Sequence, residues 1–97
     1  MEIVTADIGG THARFAIATL NDGHITLAHE QVLKTAQYAS LQTAWEAYGA
    51  HLGRTLPRSA GIAVACPVQS DTLKFTNNPW IMRVSSLKAQ LGLDEFT

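Results

Sequence analysis

The segment Asp7-Ile8-Gly9-Gly10-Thr11 places a carboxylate, two adjacent glycines and a hydroxyl side by side. Glycine lets a backbone turn tightly and lets a ligand approach it closely. Successive exposed amide N–H groups in such a turn, with the Thr11 hydroxyl, can cradle phosphate oxygens without a helix N-terminus. Asp7, at the end of the preceding apolar run, could hold Mg²⁺ directly or through water. Two other phosphate-binding patterns are absent: no G-x-x-x-x-G-K-[ST] occurs, and the glycines precede strand-like sequence instead of opening a helix. A Gly-Gly pair between strands also serves as a plain hairpin turn, and on these residues alone both readings stand.

The elements that must carry this turn follow from periodicity. Glu2 to Ile8 is apolar and β-branched at Ile3, Val4 and Ile8, a short strand stopped by Gly9-Gly10. Phe15 and Ile17 resume a strand pattern through Leu20, and Asn21-Asp22-Gly23 supplies turn chemistry. A third strand over Ile25–Leu33 completes an antiparallel meander, with no helix expected before about residue 39. From Ser40 the period changes: Leu41, Ala44, Trp45, Tyr48 and Leu52 fall on one helical face, with Ser40 as N-cap and Gly53 as stop. Ala60–Cys66 is a continuous apolar run bounded by Pro67, which reads as a central strand covered on both faces. Thr72–Phe75 is a further strand candidate. Val84, Leu87 and Leu91 mark a short second helix with Ser85 or Ser86 as cap and Gly92 as stop. Leu93 to Thr97 looks like the approach to another strand. Strands first, then helix, strand and helix, argue for a mixed α/β sheet with helices on it, in a chain that is expected to be truncated.

Composition bounds the function classes. At 97 residues the chain is one small domain or a piece of a larger protein. Apolar residues make up 46% and charged ones 15%, against a usual charged share of about 25%, which excludes disorder and implies surface that expects cover. The net charge is −1 and the seven basic residues form no run, so no nucleic-acid surface is expected. The single Cys66 allows no internal disulfide, which fits a reducing cytoplasm. The longest uninterrupted apolar stretch, Ile62–Cys66, is far below the ~20 residues a membrane helix needs. His24, His29 and His51 lack spacing or cysteine partners suited to a metal site. Trp45 and Tyr48 lie on the apolar helix stripe and read as core, Cys66 as a buried inert thiol, and Trp80 as packing beneath the turn.

The longer string Asp7-Ile8-Gly9-Gly10-Thr11-His12-Ala13-Arg14 resembles the phosphate-binding D-x-G-G-T-x-x-R motif of bacterial glucokinases, members of the sugar-kinase, actin and chaperone-ATPase superfamily. Two further segments follow in that family's order and spacing. Ala63-Val64-Ala65-Cys66-Pro67-Val68 is similar to its apolar strand ending in Pro-Val, and Thr76-Asn77-Asn78-Pro79-Trp80 to its T-N-x-x-W segment. The resemblance spans essentially the whole chain. It implies a ribonuclease H-like (actin-like ATPase) small domain, with residues 1–97 as the incomplete N-terminal domain of a two-domain sugar kinase.

The resemblance also implies roles. Ala6, Asp7, Ile8, Gly9, Gly10 and Thr11 would form the loop facing the ATP tail, with Asp7 near Mg²⁺, and Pro67, Val68, Thr76 and Asn77 would lie along the sugar side of the cleft. His12 departs from the asparagine common in the motif. Arg14 is expected to anchor the hairpin through a carboxylate, and Asn78, before Pro79, reads equally as an ordinary turn residue. The family's catalytic aspartate sits in an Asn-Asp-Phe segment expected just past Thr97, with Asp94 too early to serve. The implied activity is transfer of the γ-phosphoryl group of ATP to the 6-hydroxyl of glucose, by an intact protein compatible with a homodimer. The 97-residue chain alone is expected to be inactive and prone to self-association. The competing class is a non-catalytic sugar or nucleotide sensor on the same scaffold; a filament-forming or chaperone-like ATPase shares the turn but not the other two segments.

Overall fold

The structure, a computed structural model, describes residues 1–64, 72–74, 80–93 and 95–96. Strands β1 (Glu2–Ile8), β2 (His12–Asn21) and β3 (His24–Lys34) form the expected meander, followed by helix α1 (Leu41–Leu52) and strand β4 (Ser59–Val64). Then come β5 (Thr72–Lys74), β6 (Ile81–Arg83), helix α2 (Val84–Gln90) and β7 (Glu95–Phe96). The main sheet has the order β3-β2-β1-β4-β7, and β5 and β6 form a separate antiparallel pair. β1 runs antiparallel to β2 and parallel to β4, which in turn runs parallel to β7. The sheet is therefore mixed, and the strand approached after Gly92 is present.

Local chemistry explains most boundaries. Asp22 and Gly23 both take positive φ, 51° and 80°, the type I′ geometry that matches strand twist in a two-residue hairpin. The Ser40 side chain accepts the Thr43 N–H at 3.2 Å and caps α1. Gly53, at φ 68°, closes it in the left-handed region. Expectation and structure part company in three places. One turn of 3-10 helix, Thr35–Gln37, precedes residue 39. β6 was not expected, and α2 starts directly out of it with Arg83 at the N-cap, so Ser85 and Ser86 lie inside the helix and do not cap it. Finally, β4 is covered on one face only: Ala60 is buried, but Ala63 on the alternate face is exposed.

The core lies on that one covered face. Val4, Ala6 and Ile8 of β1 and Ala13, Phe15 and Ile17 of β2 pack against Leu41, Ala44, Trp45 and Tyr48 of α1, with Trp80, Leu87 and Leu93 completing the cluster. Phe15 stacks on Tyr48 with ring centroids 5.1 Å apart and meets Trp45 edge-on at 6.2 Å. Trp80, buried, donates its indole N–H to the Tyr38 carbonyl at 2.9 Å. The opposite face carries Leu20, Ile25, Leu27 and Val32, all exposed.

β3 carries one irregularity. Its register against β2 shifts by one residue between Phe15 and Ile17, and at this bulge His29 takes φ 56°. The Tyr48 hydroxyl donates to the His29 carbonyl at 2.7 Å, tying the bulge to α1.

Tyr48→Phe removes that bond alone and should cost about 1 kcal/mol, whereas Phe15→Ala empties the ring cluster and should cost about 3–5 kcal/mol; urea unfolding midpoints of the two variants check both. A second test concerns pH. Arg54 donates to both Glu2 carboxylate oxygens, at 2.8 and 3.4 Å, and this hydrogen bonding holds the Glu2 carboxyl below the ordinary carboxylate range. A depressed folded-state pKa adds stability that is fully present above the unfolded-state value and is lost as pH falls through the folded one. Glu2→Gln should therefore be slightly less stable than the parent at neutral pH, by the small amount an exposed pair allows, and should converge with it as pH falls through the acid limb.

Candidate functional site

The turn between β1 and β2 grows out of both strands. Their register ends at Ile8 opposite Ala13, and the Gly9 N–H then donates to the His12 carbonyl at 2.9 Å, leaving Gly10 and Thr11 at the tip. The strand alternation buries Ala6 and Ile8 and turns Asp7 outward. The Asp7 carboxylate makes no hydrogen bond or ion pair among the described residues. Arg14, opposite Asp7 in the ladder, has its Nε 3.9 Å from Glu30 Oε1 on β3, the carboxylate anchor expected of it, although a loose and exposed one.

Gly9 takes no left-handed φ, and among the described residues a Cβ built there would meet only the His12 carbonyl oxygen at 3.6 Å, an ordinary contact. Neither backbone conformation nor packing against the described residues calls for glycine at this position. What its missing side chain leaves is room for something to approach the backbone. The expected run of exposed amides is shorter than the sequence implied, because the Gly9 N–H is already committed to His12. His12 Nδ1 lies 3.0 Å from the Thr11 hydroxyl and holds it beside the tip. An open depression of about 480 Å³ is lined by Asp7, Gly9, Thr11, His12, Arg14 and Val32.

Sequence reasoning missed one member of this site. Thr35, only 1% exposed, donates its hydroxyl to the Gly10 carbonyl at 3.1 Å and its N–H to the Thr11 carbonyl at 3.0 Å. Nothing in the local sequence marks it. Its proximity follows from the register that sets His12 opposite Lys34, which a one-strand reading does not supply.

Among the described residues Asp7 is the only carboxylate lining the depression, and they hold no group of three or more metal-ligating side chains. A cation here would draw its remaining ligands from water and phosphate oxygens, the mode Mg²⁺ favours, so the residues fit that ion. His24, His29 and His51 are all exposed. Trp80 is core, with no stacking face turned to solvent. Pro67, Val68, Thr76 and Asn77, with Cys66, Asn78, Pro79 and Asp94, lie outside the described residues. No helix among the described residues is long and apolar enough to cross a membrane.

The chain resembles known proteins along nearly its whole length. The chain is 55% identical over 95 residues to a glucokinase of Zymomonas mobilis, covering 97% of this chain and 29% of that protein. It is 42% identical over 93 residues to a glucokinase of Hahella chejuensis, covering 96% and 28%. Among solved structures it superposes on a glucokinase from an Antarctic psychrotroph with a TM-score of 0.88 and 32% identity, over 98% of this chain and 30% of that one. The mixed sheet with its helices is thus the α/β small-domain architecture expected, and the chain spans under a third of the length of the relatives it matches. Residues 4–97 match the family model described as Glucokinase, and the chain belongs to the glucokinase family.

Proposed function

We propose that the protein carrying these residues transfers the γ-phosphoryl group of ATP to the 6-hydroxyl of glucose in the cytoplasm, and that residues 1–97 form the N-terminal part of its small domain. The observation that supports this most directly is the tip of the β1–β2 turn. A glycine that neither its backbone conformation nor its contacts with the described residues require stands there beside a carboxylate with no partner among the described residues and a depression open to solvent. Ala6 to Thr11 supply the loop along the ATP tail, and backbone amides and the Thr11 hydroxyl hold phosphate oxygens at fixed positions. Positioning of this kind, with electrostatic stabilisation, accounts for most of the catalysis of phosphoryl transfer. Asp7 would hold Mg²⁺ through water, and the ion would neutralise phosphate charge. Pro67, Val68, Thr76 and Asn77 contribute to the sugar side of the cleft. None of the 97 residues is assigned as the catalytic base, so the activity is proposed for the family's full-length protein and not for this stretch by itself.

A coupled assay on the native gene product should show glucose 6-phosphate formation that needs both ATP and glucose, with the 97-residue chain silent under the same conditions. Sugar binding without turnover by the gene product would favour the regulator reading instead. Gly9→Ala separates site from scaffold. Its melting temperature should stay at or slightly above the parent's, because the added Cβ meets no clash among the described residues and restricts the unfolded chain. Its KM for ATP should rise by about tenfold or more, the loss of one charge-assisted contact of about 1.5–3 kcal/mol. Sedimentation of the 97-residue chain should show association that increases with concentration, driven by Leu20, Ile25, Leu27 and Val32 on the open face.

A further inference from the structure

We infer that Thr35 is a positioning residue for phosphoryl-donor binding: from beneath the turn it orients the peptide planes of Gly10 and Thr11 so that the amide edge of the loop faces the donor. The inference rests on the phosphate-loop reading above. A trans peptide points its C=O and N–H in opposite directions. The Gly10 carbonyl accepts the Thr35 hydroxyl at 3.1 Å, so the N–H of the same peptide, which belongs to Thr11, is turned away from the buried Thr35 and outward. The Thr11 carbonyl accepts the Thr35 N–H at 3.0 Å, which fixes the next plane in the same sense. No bond to the Thr11 N–H occurs among the described residues, so this outward donor is left for a ligand.

One residue thus clamps two consecutive carbonyls of the turn. An anion-binding turn works through amide direction, and donors fixed in advance need no reorganisation when charge arrives. Thr35 touches neither the donor nor the sugar. The neighbouring bond from Gly9 to His12 secures the base of the turn, and Thr35 holds the two carbonyls nearer its tip.

The test compares Thr35→Val, which keeps shape and N–H but deletes the hydroxyl, with Thr35→Ser, which restores it, in the native gene product. For Thr35→Val the expected result is a KM for ATP raised about tenfold, a matching loss of calorimetric affinity for ATP in the absence of glucose, and a KM for glucose within twofold of the parent. Thr35→Ser should return close to parent values. If Thr35→Val fails to fold, Thr35→Cys, which puts a weak thiol donor in place of the hydroxyl and is matched in shape by Thr35→Ser, gives the same comparison. Unchanged ATP constants would overturn the inference, as would equal losses for ATP and glucose that follow a lowered melting temperature. Gly9→Ala, run beside these, separates the two readings. If it weakens ATP binding while Thr35→Val does not, only the Thr35 assignment fails; if neither matters, the phosphate-loop reading fails with it.

Discussion

Strand β1 is hydrogen-bonded along both edges, antiparallel to β2 and parallel to β4, and everything else in the molecule depends on that double pairing. A strand held on both sides cannot slip, because a shift of one residue would move its whole apolar set to the wrong face. With the register fixed, Val4, Ala6 and Ile8 are committed to the core and Asp7 to the open side. The last ladder pair, Ile8 with Ala13, then determines where the chain must turn. The chemistry at the tip is therefore positioned by apolar burial beneath it, with the Phe15, Trp45 and Tyr48 rings as the mass against which the sheet rests.

Much of this was legible in the residues. The meander, the cap and stop of α1 and the type I′ turn are all local. Ser40, Gly53 and Asp22-Gly23 each satisfy a backbone requirement within a few residues of themselves, so a one-dimensional reading finds them. The phosphate-loop candidate was legible for the same reason, since Asp7 to Thr11 are contiguous. What escaped was non-local. β6 is three residues long and exists only through its pairing with β5. Thr35 becomes part of the site only when β3 returns beside β2. β4 misled because Gly61 and Ala63 are as small and apolar as an inward-facing set, so an open face looked like a covered one.

The same open face bears on the low charge content. Ala16 and Ala18, flat and small, are flanked there by larger aliphatic side chains and a sparse row of charges at Asp7, Arg14 and Glu30. The polar end of this face coincides with the glycine turn, and the apolar end lies toward the distal hairpin. The two ends of the sheet are thus chemically distinct, one suited to a charged ligand and the other to hydrocarbon.

The bulge at His29 decides where that hydrocarbon is displayed. Beyond it, Leu27 pairs with Ala18 and Ile25 with Leu20, all on the open side. Had β3 continued in the register it keeps from Lys34 to Gln31, Leu27 would have fallen opposite Thr19 and Ile25 opposite Asn21, on the α1 side. A single supernumerary residue in a left-handed conformation, pinned by one tyrosine hydroxyl, therefore acts as a parity switch for the outer hairpin: odd or even spacing along β3, and not composition, selects which surface of the protein is greasy.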